Sequence, residues 1–106
     1  MGASSASYSG GSMPGLTLRA WALVSSAGAL IKGFNVSAAA RNSIGNYTIT
    51  LTAAMADTNC LCEFKQQPAV ATQAFAVSGL TTGAVSYDVQ QGGANIDKMS
   101  YVAVYG

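Results

Sequence analysis

Cys60 and Cys62, two positions apart, are the side chains best able to do chemistry in this chain. A thiolate pair can hold zinc, but a tetrahedral site needs further ligands and the sequence contains no histidine. On a strand that spacing puts both side chains on one face, and neighbours along one strand rarely form an unstrained disulfide. Both therefore read as reduced, core-facing thiols. The lack of histidine also removes the commonest general base and the Ser-His-Asp arrangement. Four carboxylates remain, Asp57, Glu63, Asp88 and Asp97. Two fall in turn-like segments and two on outward positions of strands, and nothing in their order brings a pair together across a cleft, as glycoside hydrolysis requires. The segment "SGGSMPG" has glycines but neither the lysine nor the strand-to-helix context of a phosphate loop. The expectation is a protein that is not an enzyme and uses no cofactor or metal.

The elements that hold these residues are short and poor in charge. Charged residues make up 8% of the chain, against about 25% in an average soluble domain, and the net charge is +1. Arg19, Lys32, Arg41, Lys65 and Lys98 are scattered, so no nucleic-acid face is expected. Mean hydropathy is +0.31, high for a surface that meets only water. Coverage by further copies of the chain accounts for this, so a homo-oligomer is expected. The longest apolar run, residues 20–31, is too short for a bilayer and is split by Ser25 and Ser26. No membrane span is expected. Residues 1–15 are mostly Ser, Gly and Ala with no basic and apolar leader pattern, and read as a flexible or docking arm ahead of a single β-domain, 16–106.

From Leu16 onward apolar residues alternate with polar ones in short runs bounded by Gly, Asn, Asp and Ser. Strands are expected at 16–24, 30–38, 47–53, 60–67, 71–79, 84–91 and 98–106. Residues 38–46, "AAARNSIGN", read as a connection, because three alanines and an arginine could open a helical turn but Asn42, Ser43 and Gly45 end it at once. In the third run Tyr47, Ile49 and Leu51 point inward and the threonines outward. In the sixth Val85, Tyr87 and Val89 do the same. About seven strands without a helix predict an all-β fold, an antiparallel sandwich or barrel-like domain.

Two of the strands are apolar on both faces. Trp21 and Leu23 in the first, and Tyr101, Val102, Val104 and Tyr105 in the last, are the candidate oligomer-interface residues, since a bare apolar strand invites aggregation. The polar residues Gln66, Gln67, Gln90, Gln91 and Asn95 sit at or beside turns, where ordinary solubility accounts for them.

Several segments together resemble a known module. "RAWALV" at 19–24, "IKGFNVSAAARNSIGNYTITLTAAMAD" at 31–57 and the closing "YVAVYG" are similar to the β-rich module found at the C-terminal ends of bacteriophage tail-fibre and other receptor-binding virion proteins. Phe34, Asn35, Val36 and Ser37 match its pattern in order, as do Arg41, Gly45, Tyr47, Thr48 and the turn 54–57. The likeness is good over 19–60 and elsewhere rests on length and ending. Two places depart from it: "SSAGAL" replaces an acidic turn, and Ser43-Ile44-Gly45-Asn46 stands where Gly-Thr-Gly-Asp is usual. The resemblance implies a homotrimeric virion component made in the bacterial cytoplasm and displayed on the particle. Its arm would hold other virion proteins, and its outer end would meet a host surface glycan or protein through receptor-binding loop tips, for which Gln66, Gln67, Gln90, Gln91 and Asn95 are the candidates. A capsid decoration, head-fibre or collar piece with a purely structural role is the alternative. A small carbohydrate-binding module outside any virus would instead need Trp21 exposed on a monomer.

Overall fold

The computed structural model describes residues 12–13, 16–67 and 73–106. Among these every regular element is a strand, and the strands form two antiparallel sheets. The chain runs β1 (Ser12–Met13), β2 (Leu16–Val24), β3 (Leu30–Phe34), β4 (Val36–Ser43), β5 (Asn46–Leu51), β6 (Leu61–Gln67), β7 (Gln73–Leu80), β8 (Ala84–Gln91), β9 (Ala94–Asn95) and β10 (Met99–Tyr105). In the first sheet β2 pairs with β10 and β10 with β6, while β1 and β3 pair with different ends of β2. The second sheet has the order β4-β5-β8-β7, with β9 extending it beside β8. The all-β expectation holds, as a sandwich. Of the expected N-terminal arm, Ser12–Met13 pair with Thr17 and Leu16; the rest of that arm lies outside the described residues.

Period-two alternation explains the core. Ala20, Ala22, Val24, Val102 and Val104 point inward from the first sheet. Tyr47, Ile49, Leu51, Val85, Tyr87 and Val89 meet them from the second. The small alanines of β2 leave room for the two tyrosines, so bulk on one sheet is matched by its lack on the other. Tyr47 and Tyr87 lie 5.8 Å apart, and Phe64 packs on Tyr87 at 5.1 Å and stacks on Phe75 at 5.3 Å. Burial pushes the Tyr87 hydroxyl up to about 12, so it stays protonated and shares a 2.8 Å hydrogen bond with Ser100 of the opposite sheet. A buried hydroxyl needs that partner to offset its desolvation.

Two expectations about the chain path are corrected. The run 30–38 is not one strand: it breaks at Asn35, whose φ is +55°, and β3 and β4 belong to different sheets. Residues 38–43 are not a connection but most of β4, paired with β5 from Val36↔Leu51 to Ser43↔Asn46. Alanine's weak strand preference is overridden by context here. Ala39 packs on the core while Ala38 and Ala40 are exposed on an edge strand.

Candidate functional site

The corner at Asn35 fixes how the sheets meet. Its side-chain Nδ2 donates to Arg19 O in β2 at 3.0 Å and to Ala53 O at 3.1 Å, and its Oδ1 accepts from Ala53 N at 2.8 Å. Its own carbonyl accepts from Thr52 N at 3.0 Å. One amide thus ties the first sheet to the segment leaving β5. Beside it lies a half-open cavity of about 470 Å³, walled by Leu18, Arg19, Phe34, Asn35 and Met55.

A second knot sits at the far end of the sandwich, where β4 turns into β5. Asp97 Oδ1 accepts from Arg41 Nε at 2.9 Å and from Gly45 N at 2.9 Å, with Tyr47 Oη at 3.3 Å. The single Tyr47 hydroxyl proton is directed at Ser26 O at 2.7 Å, which leaves Asp97 Oδ1 as its second and longer acceptor. The bonded Arg41 guanidinium, then the Gly45 amide, hold the Asp97 carboxyl below its ordinary range. A carboxylate whose folded value is depressed contributes stability that is present above its unfolded value, about 3.9, and is lost as pH falls through the folded value. Thermal melts from about pH 7 down to pH 2 are expected to show an acid-side fall in midpoint beginning near pH 4. That fall should be shallower in Asp97→Asn; identical acid limbs in the two proteins would count against the assignment.

The outer faces of the two sheets differ in chemistry. Register places Trp21 beside Phe34 and Ala103, and Leu23 beside Lys32 and Tyr101, on the outside of the first sheet. Trp21 and Tyr101 rings approach to 6.2 Å there. Arg19, Lys32, Lys65 and Glu63 share this face by their strand positions. Tyr101 is 38% exposed and Phe34 51%, large values for rings that water does not favour.

The outside of the second sheet is flat and polar. Asn42 Nδ2 donates to Asn46 Oδ1 at 2.9 Å and to Thr48 Oγ1 at 2.7 Å, and Thr48 shares a 2.6 Å bond with Ser86. Asn46 Nδ2 donates to Asp88 Oδ1 at 2.7 Å and to Ser78 Oγ at 3.0 Å. Asn95 Nδ2 reaches Asp88 Oδ1 at 3.4 Å, and Gln90 Nε2 donates to Asn95 Oδ1 at 3.0 Å. The groups are already held in place before any partner arrives.

The expected site residues are dispersed by this geometry. Gln90 and Asn95 join the polar platform, while Gln91, adjacent on β8, alternates to the other face and pairs with Gln73 and Ala94. Gln66 is no loop tip: it is 1% exposed, and its Nε2 bridges from β6 to Gln90 O of the opposite sheet at 2.9 Å. The reason is parity, since Cys62, Phe64 and Gln66 alternate inward together. The Gln67 side chain lies outside the described residues. Val102 and Val104 have no exposed surface and face the domain's own core, so they offer nothing to a neighbouring copy. Trp21, Leu23, Tyr101 and Tyr105 remain on the outer side. Asn42, Asn46, Thr48 and Ser86 were not singled out from the sequence; their outward parity was legible, but not that β5 and β8 are neighbours.

Cys60 and Cys62 are free and half-buried. Burial, reinforced by the neighbouring Cys60, pushes the Cys62 thiol up from 9.0 to about 11. Its thiolate fraction near neutral pH is therefore about a hundredfold below that of an ordinary thiol. Alkylation of Cys62 in the folded protein should be slower by about that factor than in urea, read residue by residue by mass spectrometry; equal rates would show that the thiol is not desolvated.

These features define a class: a small two-sheet antiparallel β-sandwich with one aromatic and cationic outer face and one polar outer face whose single outward charge among the described residues is Asp88. No family model, curated protein or solved structure matches the chain.

Proposed function

We propose that the chain is a bacteriophage virion protein, a tail-fibre or spike tip that attaches the particle to a host surface as a homotrimer. What supports this reading is where the motif resemblance falls on the fold. "RAWALV" is most of β2, "FNVS" is the corner at Asn35, and "RNSIGNYTITLTAAMAD" is the β4–β5 hairpin with the segment that Asn35 ties down. Among the matched residues Asn35, Gly45 and Tyr47 hold the corner, the turn and the core of the sandwich, while Phe34, Ser37, Arg41 and Asp57 are exposed. The outer face of the first sheet supplies a surface for assembly, because Trp21, Leu23, Phe34, Tyr101 and Tyr105 form an aromatic patch that a monomer would leave wet.

Sedimentation equilibrium tests the assembly: three times the chain mass is expected at micromolar concentration, and a monomer mass would overturn it. Trp21→Glu should then give a folded monomer, since the side chain lies outside the core. Attachment is tested by competition, in which purified protein should reduce particle adsorption to host cells. Particles that adsorb normally in its presence would favour the alternative, a capsid decoration or collar piece that braces the virion.

A further inference from the structure

We propose that the outer face of the second sheet is a binding platform for neutral oligosaccharide, a reading that rests on the attachment role and names the ligand class it would use. Asp88 is the one charged residue whose strand position faces outward there among the described residues; Asn42, Asn46, Thr48, Ser78, Ser86 and Asn95 surround it as neutral groups. Amides and hydroxyls both donate and accept, which is the chemistry of a sugar's hydroxyls and not of a phosphate or a basic peptide. Asp88 Oδ1 takes the Asn46 and Asn95 amides, and no described residue bonds its second oxygen. That oxygen, flanked by two amides, is placed to accept from one hydroxyl of a vicinal pair while an amide donates to the other.

The surroundings keep the platform accessible. Ala38 and Ala40 on β4, and Ala74 and Ala76 on β7, are exposed and outward, so among the described residues these stretches of the rim stand no taller than a methyl. Their methyls offer a low apolar floor for the C–H face of a pyranose ring. The mutual hydrogen bonds fix the side chains beforehand, which reduces the ordering cost of binding. Among the described residues no aromatic ring stacks from this face, so one copy would bind only at about millimolar Kd, and useful avidity would come from several copies on one particle.

The test is a titration of isotope-labelled protein with neutral hexose and N-acetylhexosamine oligosaccharides, following the side-chain amide signals of Asn42, Asn46, Gln90 and Asn95. At least one neutral probe is expected to move these signals in the millimolar range, while a heparin fragment does not. Ala76→Arg lays a long cation across the platform at an exposed position. It should weaken binding by about tenfold or more with the fold intact, whereas Lys65→Ala on the opposite sheet should not. No response to any neutral probe, shifts confined to the first sheet, or undiminished binding by Ala76→Arg would each overturn the inference. Adsorption separates it from the attachment role: if the wild-type chain competes with particles and Ala76→Arg competes equally well, attachment stands and this platform falls.

Discussion

Replacing Gly45 by alanine should lower stability by about 3 kcal/mol or more, enough to empty much of the folded state of a domain this small. Two costs combine. Gly45 has a φ of +66°, where an L side chain is strained by about 1–2 kcal/mol. A Cβ there would also meet Ile96 N at 2.7 Å and the carbonyl oxygens of Ile96 and Val89 at 2.8 Å, all backbone atoms that cannot rotate away. Those atoms belong to the structure that closes the turn, since Val89 N donates to Gly45 O and Ile96 N to Val89 O. Gly92→Ala is the matched control. Its φ is +62° but nothing lies within 4 Å of the added carbon, so it carries the backbone strain alone, about 1 kcal/mol. Urea denaturation of the two variants isolates the close approach as their difference. Equal losses would mean that the turn yields to the methyl group and that Gly45 is there only for its backbone freedom.

The same hairpin shows what the sequence could reveal. Tyr47, Ile49 and Leu51 were legible as core, as were Val85, Tyr87 and Val89, because one face of each strand is buried and alternation records that directly. Gln66 was legible too, had its parity with Cys62 and Phe64 outweighed its polarity. Tyr101 and Val102 divide by the same rule: one is outward and the other buried. The break at Asn35 was not visible in this way. Phe34 and Val36 continue an apolar alternation across it, and a change of sheet alters which neighbours those faces meet without disturbing the pattern. The local clue was asparagine itself, the residue after glycine that most readily adopts positive φ. The polar platform was half legible. Outward Thr48 and Ser86 could be read from their own strands, whereas the 2.6 Å bond between them depends on a pairing between residues 38 apart in sequence.

At Asn35 one side chain ties the first sheet to the segment leaving β5, and three substitutions separate its parts. Asn35→Ala removes both Nδ2 donations and the Oδ1 acceptance and forces alanine to a φ of +55°. With about 1 kcal/mol for each lost bond, partly replaced by water at this half-buried site, and about 1 kcal/mol of strain, a loss of about 3 kcal/mol is expected. Asn35→Gly relieves the strain but not the bonds, so it should recover about 1 kcal/mol of that loss. Asn35→Asp keeps the shape and the acceptor for Ala53 N but turns an oxygen toward the carbonyls of Arg19 and Ala53, which had each received a proton. The two carbonyl dipoles would raise the folded pKa of the introduced carboxyl above its unfolded value, since they favour the protonated form. Stability of that variant should therefore be fully present below the unfolded value and lost as pH rises from there through the folded value, opposite in sign to the Asp97 effect. Denaturation midpoints at about pH 4 and pH 7, each referred to wild type, read this directly. A penalty for Asn35→Asp that is the same at both pH values, or smaller than that for Asn35→Ala at pH 7, would show that water rather than Asn35 satisfies those carbonyls, and that the corner is held by backbone bonds alone.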